Sequence, residues 1–130
     1  MHIAVVVDAF GPELDAEAAA AAIVAGWHAA APDARLTVLR PAEAGDVDGA
    51  DLVVTGVACF DWQALRDSLV TAAAGAAVAR GVPCVVLAGQ VSVGRREASA
   101  VGVDAAYPLA TVDRDALVTL AERVARRWGR

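Results

Sequence analysis

The chain has 130 residues, a formal net charge of −5 and 58% apolar residues, among them 33 Ala and 21 Val. This is one domain's length of chain with core to spare, which excludes intrinsic disorder. All eleven basic residues are Arg, so Schiff-base chemistry and a Lys grip on phosphate are excluded, and an acidic domain with few aromatics is no nucleic-acid binder.

His2 to Asp8 is a short β-branched run, the pattern of a strand buried on both faces. Asp15 caps an Ala-rich helix that ends before Pro32, with Ile23, Val24 and Trp27 as its heavy apolar stripe. Arg35 to Arg40 alternates and reads as an edge strand. Pro41 to Ala50 is polar and too short for a packed helix, and Asp51 to Thr55 is the third strand. Asp61 is expected to cap a helix from Trp62 to Arg80 that Gly81 terminates. Pro83 to Ala88 is the fourth strand, closed by Gly89. A short helix around Arg95 to Val101 leads to a weak fifth strand near Asp104 to Tyr107. Asp113 caps the last helix, on which Leu117, Leu120, Ala121, Val124 and Trp128 recur at helical spacing. Arg123, Arg126, Arg127 and Arg130 cluster in its last turns, where they complement the negative pole of the helix dipole.

Apolar strands alternating with helices predict an α/β domain, a five-stranded parallel sheet with helices on both faces. The spacing fits a flavodoxin-like order, 2-1-3-4-5. The connection between the second and third strands has only about ten residues, which at ~3.3 Å each still reach ~33 Å, enough to cross the first strand without a helix.

In such a sheet ligands bind beyond the carboxyl ends of the strands, where strand order reverses. Asp8, a charged residue directly after a buried run, is the candidate catalytic carboxylate, with a turn or cap role as the alternative. Gly56 permits close backbone approach, and Asp61, Gln63 and Gln90 are the candidate substrate-binding residues around it. His2 and His28 lie off this edge. No phosphate-binding signature is present, neither GxxxxGK[ST] nor GxGxxG. Val57, Ala58, Cys59 and Phe60 offer a phosphate little beyond backbone N–H groups. With Phe10 and Trp62 they read instead as an apolar packing surface, so Phe10, Val57, Cys59, Phe60 and Trp62 are candidate interface residues.

Two cysteines cannot supply a disulfide framework or a four-ligand zinc site, and no metal site is expected. Cys84 sits in an apolar run as a small hydrophobe. Cys59 is placed in a loop as the more reactive thiol, with no His nearby in sequence to activate it. No apolar run reaches the ~18 residues of a membrane span. The amino terminus shows no leader pattern, so a cytoplasmic protein without a membrane partner is expected.

The chain resembles the glycerate kinases. Where that family opens with Asp-Ser-Phe-Lys-Gly, this chain has Asp8-Ala9-Phe10-Gly11. The family's Asp-Leu-Val-Ile-Thr-Gly-Glu-Gly-Arg-Leu-Asp, followed by Gln-Thr-Leu, appears as Asp51-Leu52-Val53-Val54-Thr55-Gly56-Val57-Ala58-Cys59-Phe60-Asp61, then Gln63-Ala64-Leu65. Gly81-Val82-Pro83-Cys84 to Leu87-Ala88-Gly89 and Gly102-Val103-Asp104-Ala105 match two later steps. Family members are much longer, with a second α/β domain inserted into the first. The resemblance implies that residues 1–130 form the flavodoxin-like domain alone, joined near 42–50 where the inserted domain is missing.

It also implies ATP-dependent phosphoryl transfer to glycerate, yet the motif's polar residues are replaced. Its Ser and Lys fall on Ala9 and Gly11, its Glu and Arg on Val57 and Cys59, and a further Lys near Ser68. Asp8, Asp61 and Gln63 survive. Because phosphoryl transfer rests on positioning and charge neutralisation, the expectation is a catalytically degenerate domain acting through protein association, as a homodimer or with another subunit, and with no cofactor. Two alternatives stand beside it. One is residual kinase activity with Mg-ATP, completed by a partner subunit, in which Asp8 is base or metal anchor. The other is a small-molecule-sensing module of the same fold.

Overall fold

The computed structural model describes residues 1–129, so Arg130 of the terminal Arg cluster lies outside the described residues. The elements run β1 (His2–Val7), α1 (Ala16–Ala30), β2 (Arg35–Leu39), a 3-10 turn (Pro41–Glu43), β3 (Leu52–Phe60), α2 (Leu69–Arg80), β4 (Cys84–Val91), α3 (Arg95–Ala100), β5 (Ala105–Pro108) and α4 (Arg114–Trp128). Every strand pairing is parallel, in the expected order β2-β1-β3-β4-β5. The sheet is flavodoxin-like, with helices on both faces.

Strand alternation divides the core in two. Ile3, Val5, Leu52, Val54, Val85 and Leu87 meet Ile23 and Trp27 of α1 and Leu117, Leu120 and Val124 of α4. Ala4, Val6, Val53, Cys84 and Val86 meet Val70, Ala73, Ala74 and Ala77 of α2. Each fully buried large aliphatic side chain contributes about 1.5–3 kcal/mol. The Ala-rich helices approach closely, and Gly26 marks the contact between α1 and α4. A methyl there would run into the Val118 carbonyl and stand 2.9 Å from Ala121 Cβ.

The caps act through short-range bonds. Asp15 accepts from the Ala18 N–H at 2.8 Å and Asp113 from the Ala116 N–H at 2.8 Å, as expected. Gly81 ends α2 in the left-handed region at φ 69°, where a Cβ is costly. Asp61 does not start that helix. It caps a separate turn, accepting from the Gln63 and Ala64 N–H groups at 3.1 Å each. α2 begins after Ser68, whose hydroxyl accepts from the Val70 N–H at 3.1 Å.

Two strands outrun their sequence limits. β3 passes Thr55 and Gly56 to Phe60, and β4 passes Gly89 to Val91, because the two extensions pair with each other, Cys59 opposite Gln90 and Phe60 opposite Val91. Cys59 therefore lies on a strand, not in a loop. The β2–β3 connection is more than a bare crossing: the 3-10 turn leads into a segment that buries Ala44, Val47 and Ala50 against the α2 side of the sheet.

The amino edge uses one device twice. Asp51, preceding β3, accepts from the His2 N–H at 2.7 Å while its own N–H donates to the His2 carbonyl at 2.7 Å. Asp104, preceding β5, does the same with Cys84, at 2.9 and 2.8 Å. His2 is a strut at this edge, with Nδ1 3.0 Å from the Gly49 carbonyl and Nε2 2.7 Å from Thr37 Oγ1. His28 Nε2 lies 3.0 Å from the Ala34 carbonyl.

Candidate functional site at the carboxyl edge of the sheet

β1, β3 and β4 carry the sequence-selected residues to the opposite edge. Asp8 follows β1, and its N–H donates to the Gly56 carbonyl at 2.9 Å, tying the first loop to the centre of the sheet. Its exposed carboxylate accepts from the Ala9 N–H at 2.8 Å. Among the described residues it has no ion-pair partner.

The loop then turns back on itself. The Phe10 N–H donates to the Leu14 carbonyl at 2.8 Å and the Leu14 N–H to the Gly11 carbonyl at 3.2 Å, which drives both Phe10 and Leu14 into the core. The Phe10 ring comes down on Gly56. A methyl at Gly56 would stand 2.7 Å from Phe10 Cζ and 2.7 Å from the Leu87 carbonyl oxygen. The open backbone expected at Gly56 is thus covered by the chain's own aromatic ring.

A second side chain, itself 45% accessible, partly covers the neighbouring position. Val112, from the segment before α4, lies between Gly11 and Gly89. A methyl at Gly11 would meet Val112 Cγ1 at 3.5 Å, and one at Gly89 would meet Val112 Cγ2 at 3.2 Å and the Ala58 carbonyl at 2.7 Å. Nothing in the sequence around Val112 marks it for this place.

The apolar surface expected here is only partly exposed. Phe10 is 2% accessible and Phe60 0%, so neither can contact a partner, because the fold-back and the strand extension bury them. Val57 is half-buried and Cys59 is exposed. Trp62 is 68% accessible. Cys84 is fully buried at the other end of β4, and burial together with the nearby Asp104 pushes its thiol up to about 12, which removes it as a nucleophile.

Asp61 and Gln63 are brought together by the turn after β3, whereas Gln90 stands exposed on β4 opposite Cys59. Trp62, Gln63, Leu65 and Arg66 of that turn face Glu97 and Val101 across a shallow groove of about 590 Å³. Asp8, Gly56 and Gln90 lie outside it. Nothing local in the sequence points to Arg66 and Glu97, because only the fold brings their two segments side by side.

The sheet order and the site at its reversal define a flavodoxin-like α/β protein. A flavodoxin from the domain Archaea superposes over the whole of both chains with a TM-score of 0.59 and 13% identity. The phosphorylated cyanobacterial phytochrome response regulator RcpA superposes with a TM-score of 0.61 and 10% identity, over 98% of this chain and 94% of that one. These likenesses concern the fold alone. Within it, the glycerate kinase family profile matches residues 43–126, and the chain belongs to the glycerate kinase family. Uncharacterized proteins of Mycobacterium bovis and Mycobacterium tuberculosis are each 36% identical over 86 residues, which is 66% of this chain and 23% of theirs. The aligned part thus spans about a quarter of their length. No helix among the described residues is long and apolar enough to cross a membrane.

Proposed function

We propose that this glycerate-kinase-family domain does not transfer phosphoryl groups and acts through protein association. The observation that carries the reading is that the chain itself covers the carboxyl edge at Gly56, where the buried Phe10 ring takes the place a ligand would approach, with Val112 partly covering Gly11 and Gly89 beside it. A triphosphate needs exposed backbone N–H groups and cations at such an edge. Here neither Asp8 to Leu14 nor Gly56 to Asp61 contains a basic residue, and the chain has no Lys at all. The carboxylates that remain, Asp8 and Asp61, accept from neighbouring backbone N–H groups and so serve their own turns.

The same reading takes residues 1–130 as a single flavodoxin-like domain joined near 42–50. The start of the family match at residue 43 supports it, as does the way Ala44, Val47 and Ala50 fold onto the sheet without further sequence.

The test is a calorimetric titration of the chain with Mg-ATP, with and without glycerate. Heats equal to those of dilution are expected in both. Saturable binding in the micromolar range, strengthened by glycerate, would overturn the reading. So would phosphoryl transfer that disappears in Asp8→Ala.

A further inference from the structure

The groove between the turn after β3 and α3 has the makings of a two-fold contact. Trp62 projects from one side of it, 68% accessible, the largest exposed apolar side chain among the described residues. Leu65 on that side and Ala100 and Val101 on the other supply its apolar lining, and Arg66 and Glu97 stand on the two opposite segments. Neither charge has an ion-pair partner among the described residues, and they do not pair with each other. The Glu97 carboxylate is held in place by one oxygen, which accepts from the Gly94 N–H at 3.3 Å.

We propose that this groove is the seat of a second copy of the chain. The inference rests on the association reading and names the partner. A two-fold contact needs a patch that complements itself. A two-fold axis lying in the contact and running along the groove exchanges its two sides, so Arg66 of each copy meets Glu97 of the other. The same rotation lays each Trp62 on the other copy's Ala100 and Val101. A protruding aromatic, an apolar lining on the facing segment, and one cation and one anion on opposite sides meet that requirement with no outside partner. Trp buried in a contact is among the residue types that most often dominate an interface's affinity.

Sedimentation velocity over a concentration series of the full chain tests this. A reversible monomer–dimer equilibrium is expected, weakened about 30-fold or more in Trp62→Ala. Arg66→Glu alone and Glu97→Arg alone shift the equilibrium towards monomer, and the double exchange restores it. Glu97→Gln keeps the acceptor for the Gly94 N–H and removes only the charge, so it weakens the dimer without unfolding the protein. A chain that stays monomeric at all concentrations overturns the inference. A dimer indifferent to Trp62→Ala and to the charge exchange overturns this surface as its seat. Neither result touches the calorimetric outcome with Mg-ATP, on which the loss of phosphoryl transfer stands or falls separately.

Discussion

The ring of Phe10 rests on the α-carbon of Gly56, so close that a methyl group at Gly56 would lie 2.7 Å from Phe10 Cζ. A glycine at the switch point of a parallel sheet ordinarily lets a ligand approach the backbone. In this chain the approach is taken by a side chain from the first loop. The loop is held to that course by the Phe10–Leu14 backbone bond and by the Asp8–Gly56 bond, so closure is built into the fold around β1 and β3.

Removing the ring leaves a void beneath buried β3. Phe10→Ala is expected to cost about 3–5 kcal/mol, as large-to-small changes at buried aromatic positions do. Gly56→Ala forces a methyl against both the ring and the Leu87 carbonyl, and overpacking of this kind costs about 1–3 kcal/mol. Urea unfolding of the two variants measures both losses. A neutral Phe10→Ala would show that the ring does not fill this position in solution.

Thr55 is fully buried between Val6 and Val86, and its Oγ1 has no hydrogen-bond partner among the described residues. Burying an unpaired hydroxyl costs about 1–3 kcal/mol. Thr55→Val keeps the shape and removes the polar atom, so denaturant unfolding should show a gain of about 1 kcal/mol or more. A loss would mean that the hydroxyl is bonded after all.

The Asp113 cap makes α4 sensitive to acid. Bonds from the Ala116 N–H and then the Thr111 hydroxyl hold its carboxyl below the ordinary 3.8. A carboxylate whose folded pKa is lowered stabilises the fold above its unfolded value and loses that contribution as pH falls through the folded one. Asp113→Ala should therefore lower the Tm at neutral pH, with the gap to the parent narrowing as pH drops below about 4. A gap independent of pH would rule out the charged cap as its source.

The two thiols should separate cleanly. Cys59 is exposed on β3, and Cys84 is buried with its thiol pushed up to about 12. Ellman's reagent at pH 8 should react with one thiol per native chain and with the second only on unfolding. In Cys59→Ser the fast phase disappears. Two fast thiols would mean that β4 opens readily at its amino end.

Much of the architecture was legible because its causes are local. The β-branched runs at His2–Val7 and Leu52–Thr55 can satisfy their period only as buried strands. Asp15, Gly81 and Asp113 act within a few residues of themselves, and alternation of strand and helix leads to the parallel order. The family was legible for a similar reason, since its motifs follow the strand ends in sequence. The start of α2 was not, because both Asp61 and Ser68 are competent caps and the chain uses each for a different turn.

The state of the site was decided by tertiary structure. Phe10, Phe60 and Trp62 are equally apolar in sequence, yet two are buried and one is exposed. That division depends on which backbone passes beside them: the fold-back onto Gly56 for Phe10, the pairing of the β3 and β4 extensions for Phe60, and an open groove against α3 for Trp62. Residue type determines how much is gained by leaving water. Whether a side chain leaves water is determined by segments distant in the chain, so the strands and caps followed from sequence and the closed edge followed only from the packed fold.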